Sequence, residues 1–157
     1  MNPELAMNVV GAQRASEADF MPVPTTSSIL AEARVVAIVG SRNYPELERV
    51  ERLVDQLDKH AMVVSGGAQG VDRLAMAAAL RRGLLGVVIR PEGDRGQFAA
   101  AAVQRDRWFG LISDVVVAFW TGESSGTAHG IRGGLDMGKC IVVLPGHPPE
   151  VWVRRLR

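Results

Sequence analysis

Three stretches of this sequence place small and hydroxyl residues where a ligand oxygen could reach backbone amides: Gly40-Ser41-Arg42-Asn43-Tyr44, Ser65-Gly66-Gly67-Ala68-Gln69-Gly70 and Thr121-Gly122-Glu123-Ser124-Ser125-Gly126-Thr127. Each follows an apolar run, and the second and third lead into helical patterns. The first turn of a helix has unpaired N–H groups and a partial positive charge. Glycines there let an anionic oxygen approach closely. Ser65, Ser124, Ser125 and Thr127 add hydroxyls, and Arg42 adds a planar fork suited to phosphate. One such loop is explained by tight strand–helix packing alone. Three that share one rim point to a phosphate-bearing ligand.

The elements around these loops follow from periodicity. RVVAIVG (34–40), AMVVS (61–65), GVVIR (86–90), DVVVAFW (114–120) and KCIVVLPG (139–146) are short β-branched runs. Segments 44–60, 69–83, 96–112 and 125–138 alternate with them and read as helices; Leu47, Val50, Val54 and Leu57 carry the helical spacing in the first. Alternation of this kind predicts βαβ units on a parallel sheet covered on both faces. The expected fold class is α/β, a Rossmann-like three-layer sandwich with a parallel five-stranded sheet in the order 3-2-1-4-5. That order makes strands 1, 2 and 4 neighbours and gathers their three loops where open α/β sheets bind ligands. The order 2-1-3-4-5 would put strand 3 between strands 1 and 4.

Two named motifs are absent. GSRNYP after the first strand is not G-x-G-x-x-G, so the usual dinucleotide fingerprint is missing. Gly133 to Cys140 nearly spells a P-loop, but it follows a helix and precedes a strand, the reverse of what that motif needs. Gly138 reads instead as a helix C-cap.

Composition bounds the rest. The chain has 157 residues, enough for one domain with a sizeable core. Lys plus Arg number 18 and Asp plus Glu 17, a balance that argues against a strongly electrostatic nucleic-acid binder. The single cysteine, Cys140, excludes an internal disulfide, and no apolar run reaches the length of a membrane span. A cytoplasmic location is expected, with no membrane partner and no cofactor. His60, His129 and His147 share no ligand spacing with Cys140, so no metal is expected. Residues 1–33 form an extension with at most short helical pieces, mobile unless docked on the domain or a second subunit. Residues 34–147 form the nucleotide-binding domain and 148–157 a basic tail.

In their order, VVAIVGSRNY, VVSGGAQGVDRLAMAAAL, VQRDRWFGLISDVVVAFW and SGTAHGIRGGLDMGKCIVVLPG resemble the SLOG superfamily over about residues 34–146. That group joins Smf/DprA DNA-processing proteins, LOG-like phosphoribohydrolases and small stand-alone nucleotide-binding proteins. The GSR and SGGAQGVD pieces look most like the stand-alone YspA-type members. The resemblance implies that Gly40, Ser41 and Arg42 lie under a ligand, with Gly66, Gly67, Gly70 and Asp72 as a second wall. Gly122, Ser125, Gly126 and Thr127 would hold phosphate, and Arg105 falls where relatives carry an arginine. Homo-oligomerisation is expected on the same ground, with Ala99–Val103 and the extension as contact candidates.

One departure bears on enzyme activity. The phosphoribohydrolases carry P-G-G-x-G-T-x-x-E, whereas Thr127 here is followed by Ala128, His129 and Gly130. No glutamate stands at the acid/base position; Glu123 is a geometric substitute only. The reading is a nucleotide-binding protein leaning away from catalysis. The alternatives are a phosphoribohydrolase-like enzyme and a DprA-like single-stranded DNA binder. The last is supported by the basic tail Arg154-Arg155-Leu156-Arg157 and opposed by the sparse aromatics.

Overall fold

The computed structural model describes residues 7–8, 26–90 and 98–146. Within them the elements run β1 (Met7–Asn8), α1 (Thr26–Glu32), β2 (Val35–Gly40), α2 (Glu48–Asp55), β3 (Met62–Ser65), α3 (Val71–Arg81), β4 (Leu85–Val88), α4 (Phe98–Ile112), β5 (Val115–Trp120), α5 (Ser125–Asp136) and β6 (Cys140–Pro145). The tail 148–157, the Pro91–Asp94 turn and the side chains of the Ala99–Val103 run lie outside the described residues.

The sheet order is β1-β6-β5-β2-β3-β4. Strands β2 to β6 are parallel, with Val36 opposite Val63 and Val115, and Val117 opposite Val142. Counted from β2, this is the expected order 3-2-1-4-5. The sheet has a sixth strand that periodicity could not show: the two-residue β1 pairs antiparallel with β6, Met7 opposite Val143. Two residues carry no readable alternation.

The sheet's side chains divide between two cores. Val36, Ile38, Val63, Val117 and Phe119 pack with Val50 and Val54 of α2 and Val71 and Ala75 of α3. Ala37, Val39, Val64, Val116, Ala118 and Trp120 pack with Phe109 of α4 and Ile131 of α5. Helices on both faces explain why the strands are continuously apolar rather than alternating. Leu30 of α1 is fully buried in the first core, so this part of the 1–33 extension packs on the domain. No described helix is long and apolar enough to cross a membrane.

Helix α2 is shorter than the expected 44–60. Tyr44 packs edge-on against Phe119, centroids 5.3 Å apart, and its hydroxyl accepts a hydrogen bond from Arg49 Nη1 at 2.9 Å. Burial pushes that phenol up to about 12. The Tyr44 N–H donates back to the Ser41 carbonyl at 3.2 Å, so residues 41–47 form a loop that seats Tyr44 before the helix begins. At the end of α5, Gly138 takes φ +68°, and Lys139 N–H bonds to the Gly134 carbonyl at 3.0 Å, the C-cap its sequence context implied.

Candidate functional site: a crevice at the switch point

From β2 the chain crosses one way to β3 and β4 and the other way to β5 and β6. The reversal opens a crevice of about 560 Å³ beyond the strands' carboxyl ends. Its wall brings together Gly40 from the end of β2, Arg42 from the β2–α2 connection, Asp72 from α3, Arg105 from α4, and Ser125, Gly126 and Thr127 from α5. Val39, Asn43, Ala68, Thr121, Glu123 and Ser124 complete it.

The start of α3 is built by backbone conformation. Gly70, its N-cap, has φ +81° and no side-chain cap. A Cβ at Gly70 would come 2.5 Å from the Arg42 carbonyl oxygen, so only glycine lets the two loops touch. A Cβ at Gly40 would meet the Val71 side chain at 2.5 Å, which is how α3 packs against the end of β2. Asp72, in the first turn, then folds back. Its carboxylate accepts the Ala68 N–H at 3.3 Å, and it is only 5% exposed. Burial pushes its carboxyl above the usual aspartate range; the amides of Ala68, Gly66 and Gly40 and the Arg105 charge pull the other way with less effect.

The start of α5 is built by hydroxyls. Ser124 is the N-cap; its Oγ accepts the Thr127 N–H at 3.4 Å and the Thr127 hydroxyl at 3.1 Å. The first turn contains no acidic residue. Ser125 and Gly126 are exposed, and a Cβ at Gly126 would have nothing within 4 Å. Trp120 is buried, its indole N–H donating to the Ser124 carbonyl at 3.0 Å, so it holds the cap rather than offering a stacking face.

The two sides are tied from beneath. Ser41 Oγ, fully buried, accepts from the Thr121 N–H at 3.1 Å and the Thr121 hydroxyl at 3.2 Å. Arg105 reaches in from α4 with its guanidinium carbon 5.6 Å from the centroid of the Phe109 ring.

The remaining residues expected at the site are not on the crevice wall. Ser41 is a brace. Gly66 leaves room for Asp72 and Arg105, whose side-chain atoms lie 2.9 and 3.0 Å from where a Cβ would project. Gly67 (φ +73°) and Gly122 (φ +85°) make turns. Ser65 Oγ is buried without a hydrogen-bond partner in the described structure and is not on the crevice wall. Asn43 and Thr121 belong to loops the sequence marked, but neither residue type signals a ligand. No group of three or more His, Cys, Asp or Glu is placed to hold a metal among the described residues.

Comparison with known proteins adds to this geometry. The family model for DNA recombination-mediator protein A matches residues 25–101. Among solved structures the chain is similar to DNA processing protein A (DprA) from Streptococcus pneumoniae. The TM-score is 0.63 and the identity 19%, over 76% of this chain and 53% of that one. At that identity the likeness is one of fold, and this chain spans about half the length of that relative. No curated protein matches it.

Proposed function

We propose that this protein, similar in fold to DprA, binds a nucleotide through the phosphate in the crevice at its switch point. The observation that carries this reading is the open α5 N-terminus, with exposed Ser125 and Gly126, sharing one crevice with Arg42 and Arg105. The phosphate faces the first turn of α5 on one side and the arginines on the other. The volume of about 560 Å³ suits one nucleotide unit.

Binding without hydrolysis is the form of this reading. Residues 127–130 run Thr-Ala-His-Gly inside α5, with no carboxylate at the hydrolases' acid/base position. The direct test is equilibrium binding of a panel of nucleoside mono- and diphosphates, followed by thermal shift. Stabilisation by a nucleotide and none by the matching nucleoside supports it. No shift with any phosphate-bearing compound at several millimolar refutes it. Incubation with AMP, monitored for free base, tests the hydrolase alternative.

A second reading, binding of a single DNA strand, is favoured by the match to the DNA recombination-mediator model. Against it, the crevice balances Arg42 and Arg105 with Asp72 and Glu123, whereas a strand of phosphates needs a net positive groove. A gel shift with an oligonucleotide whose midpoint moves steeply with salt would favour the strand.

A further inference from the structure

Strand β4 ends the sheet. At the opposite border the chain covers β6 with β1, but β4 pairs only with β3 among the described residues. The Ile89 N–H donates to the Ser65 carbonyl at 2.9 Å. By alternation Val87 also faces β3, and the backbone groups of Gly86 and Val88 point away from the sheet. An open border of this kind pairs with another strand unless charges or proline blunt it. Leu85-Gly86-Val87-Val88 carries neither. Its surroundings are apolar: Leu85 is 65% exposed, Val88 39%, and Leu80 in the last turn of α3 63%. Leu85 and Leu80 are the most exposed large apolar side chains among the described residues.

The chain has no segment of its own to cover this border. Its β-branched runs outside the described residues are Val9-Val10 and Val151-Trp152-Val153. The first directly follows β1, at the far edge of the sheet. The second follows Gly146, whose N–H bonds to the Trp120 carbonyl beside the carboxyl end of β6. From β6 to the outer side of β4 is five strand spacings, about 24 Å. Val151 reaches at most about 18 Å from Gly146. Residues 11–25 and 91–97 offer no strand-like run; Val23 stands between two prolines, and 91–97 read PEGDRGQ.

We infer that the β4 border is a self-association surface, and that its occupant is β4 of a second copy, running antiparallel. The strand is complementary to itself. With a two-fold axis at Val87, Gly86 faces the partner's Val88 and both exchange their outward N–H and C=O groups. Leu85 then lies opposite the partner's Ile89, and Val87 opposite the partner's Val87. These three residues share one face of the sheet by alternation, and Val87 and Ile89 already pack against the core beneath α4 and α5. Pairing therefore joins two apolar rows into one and covers Leu85. The crevice takes no part in this, so the inference is independent of nucleotide binding.

The test is sedimentation equilibrium of the parent chain, Val88→Pro and Leu85→Lys. Proline at 88 removes an N–H that points outward and leaves the bonds to β3 in place. Lysine at 85 puts a charge into the joined apolar row, at a side chain that is 65% exposed in the single chain. The parent should form dimers with a dissociation constant of roughly tens of micromolar, as a small interface gives. Each variant should weaken the dimer by about tenfold or more. Should Val88→Pro not fold, Leu85→Lys decides alone. A parent that stays monomeric at about 0.5 mM, or dimers equally strong in a folded variant, overturns the inference.

Discussion

The starts of α3 and α5 stand on opposite sides of one crevice, both follow glycine-containing loops, and both look alike in sequence. The structure separates them. At α3 the surrounding amides are engaged by the chain's own Asp72 carboxylate, and glycine dihedrals rather than a cap shape the turn. At α5, Ser124 caps the helix, no acidic residue enters the first turn, and Ser125 and Gly126 face outward. A helix N-terminus is an anion site only if the chain has not already filled it. The chain fills one of these itself; the other is the one the nucleotide proposal uses.

The largest expected effect lies at α3. Gly70→Ala forces a side chain into φ +81° and against the Arg42 carbonyl. It should cost roughly 3 kcal/mol and lower the melting temperature by about 6–12 °C. A loss under 1 kcal/mol in denaturant unfolding would show that the α3 turn is not the fixed structure described. Ser41→Ala comes next. It leaves the Thr121 N–H and hydroxyl without their buried acceptor and should cost about 2 kcal/mol. It also loosens the α5 loop, so nucleotide affinity should drop with stability.

Gly126→Ala should do the reverse of Gly70→Ala. Its Cβ meets nothing in the chain, so stability should hold or rise by up to about 0.5 kcal/mol. The methyl group stands where ligand oxygen approaches, and affinity should weaken roughly tenfold. An affinity unchanged in titration calorimetry would remove α5 from the site.

The smallest effect is a pH dependence at Asp72. Burial raises its carboxyl above the ordinary 3.8, so ionising it costs more in the folded chain than in the unfolded one. That cost is absent below the ordinary value and fully present above the raised one. Asp72→Asn should therefore gain stability over the parent at pH 7, by under about 1 kcal/mol, and the gain should shrink as pH falls through that window. Melting curves of both proteins from pH 4 to 7 give the sign, and a gain that grows toward acid contradicts the burial argument.

The Val-rich runs and the small-residue loops made the sheet order legible before any coordinates, because burial on both faces leaves a strong local signature. The crevice was legible in part. Gly126 and Thr127 announce a helix start by type and position. The brace from Ser41 to Thr121 spans 80 residues of sequence, and serine in such a loop looks equally suited to bind a ligand. Asp72 reads as an ordinary first-turn carboxylate, and only the approach of Gly40 and Gly66 from separate strand ends reveals the amides around it. β1 is too short to show a period, and α2 begins late because Tyr44 is buried against a strand distant in sequence.

The contrast between the two helix starts is tested most directly by following backbone amides in a 15N-labelled sample as AMP is added. The N–H signals of Ser125 and Gly126 should move most, and saturably, while those of Gly66 and Ala68, engaged by Asp72, move little. Shifts centred on Gly66, Ala68 and Gly70 with α5 unmoved would contradict the account.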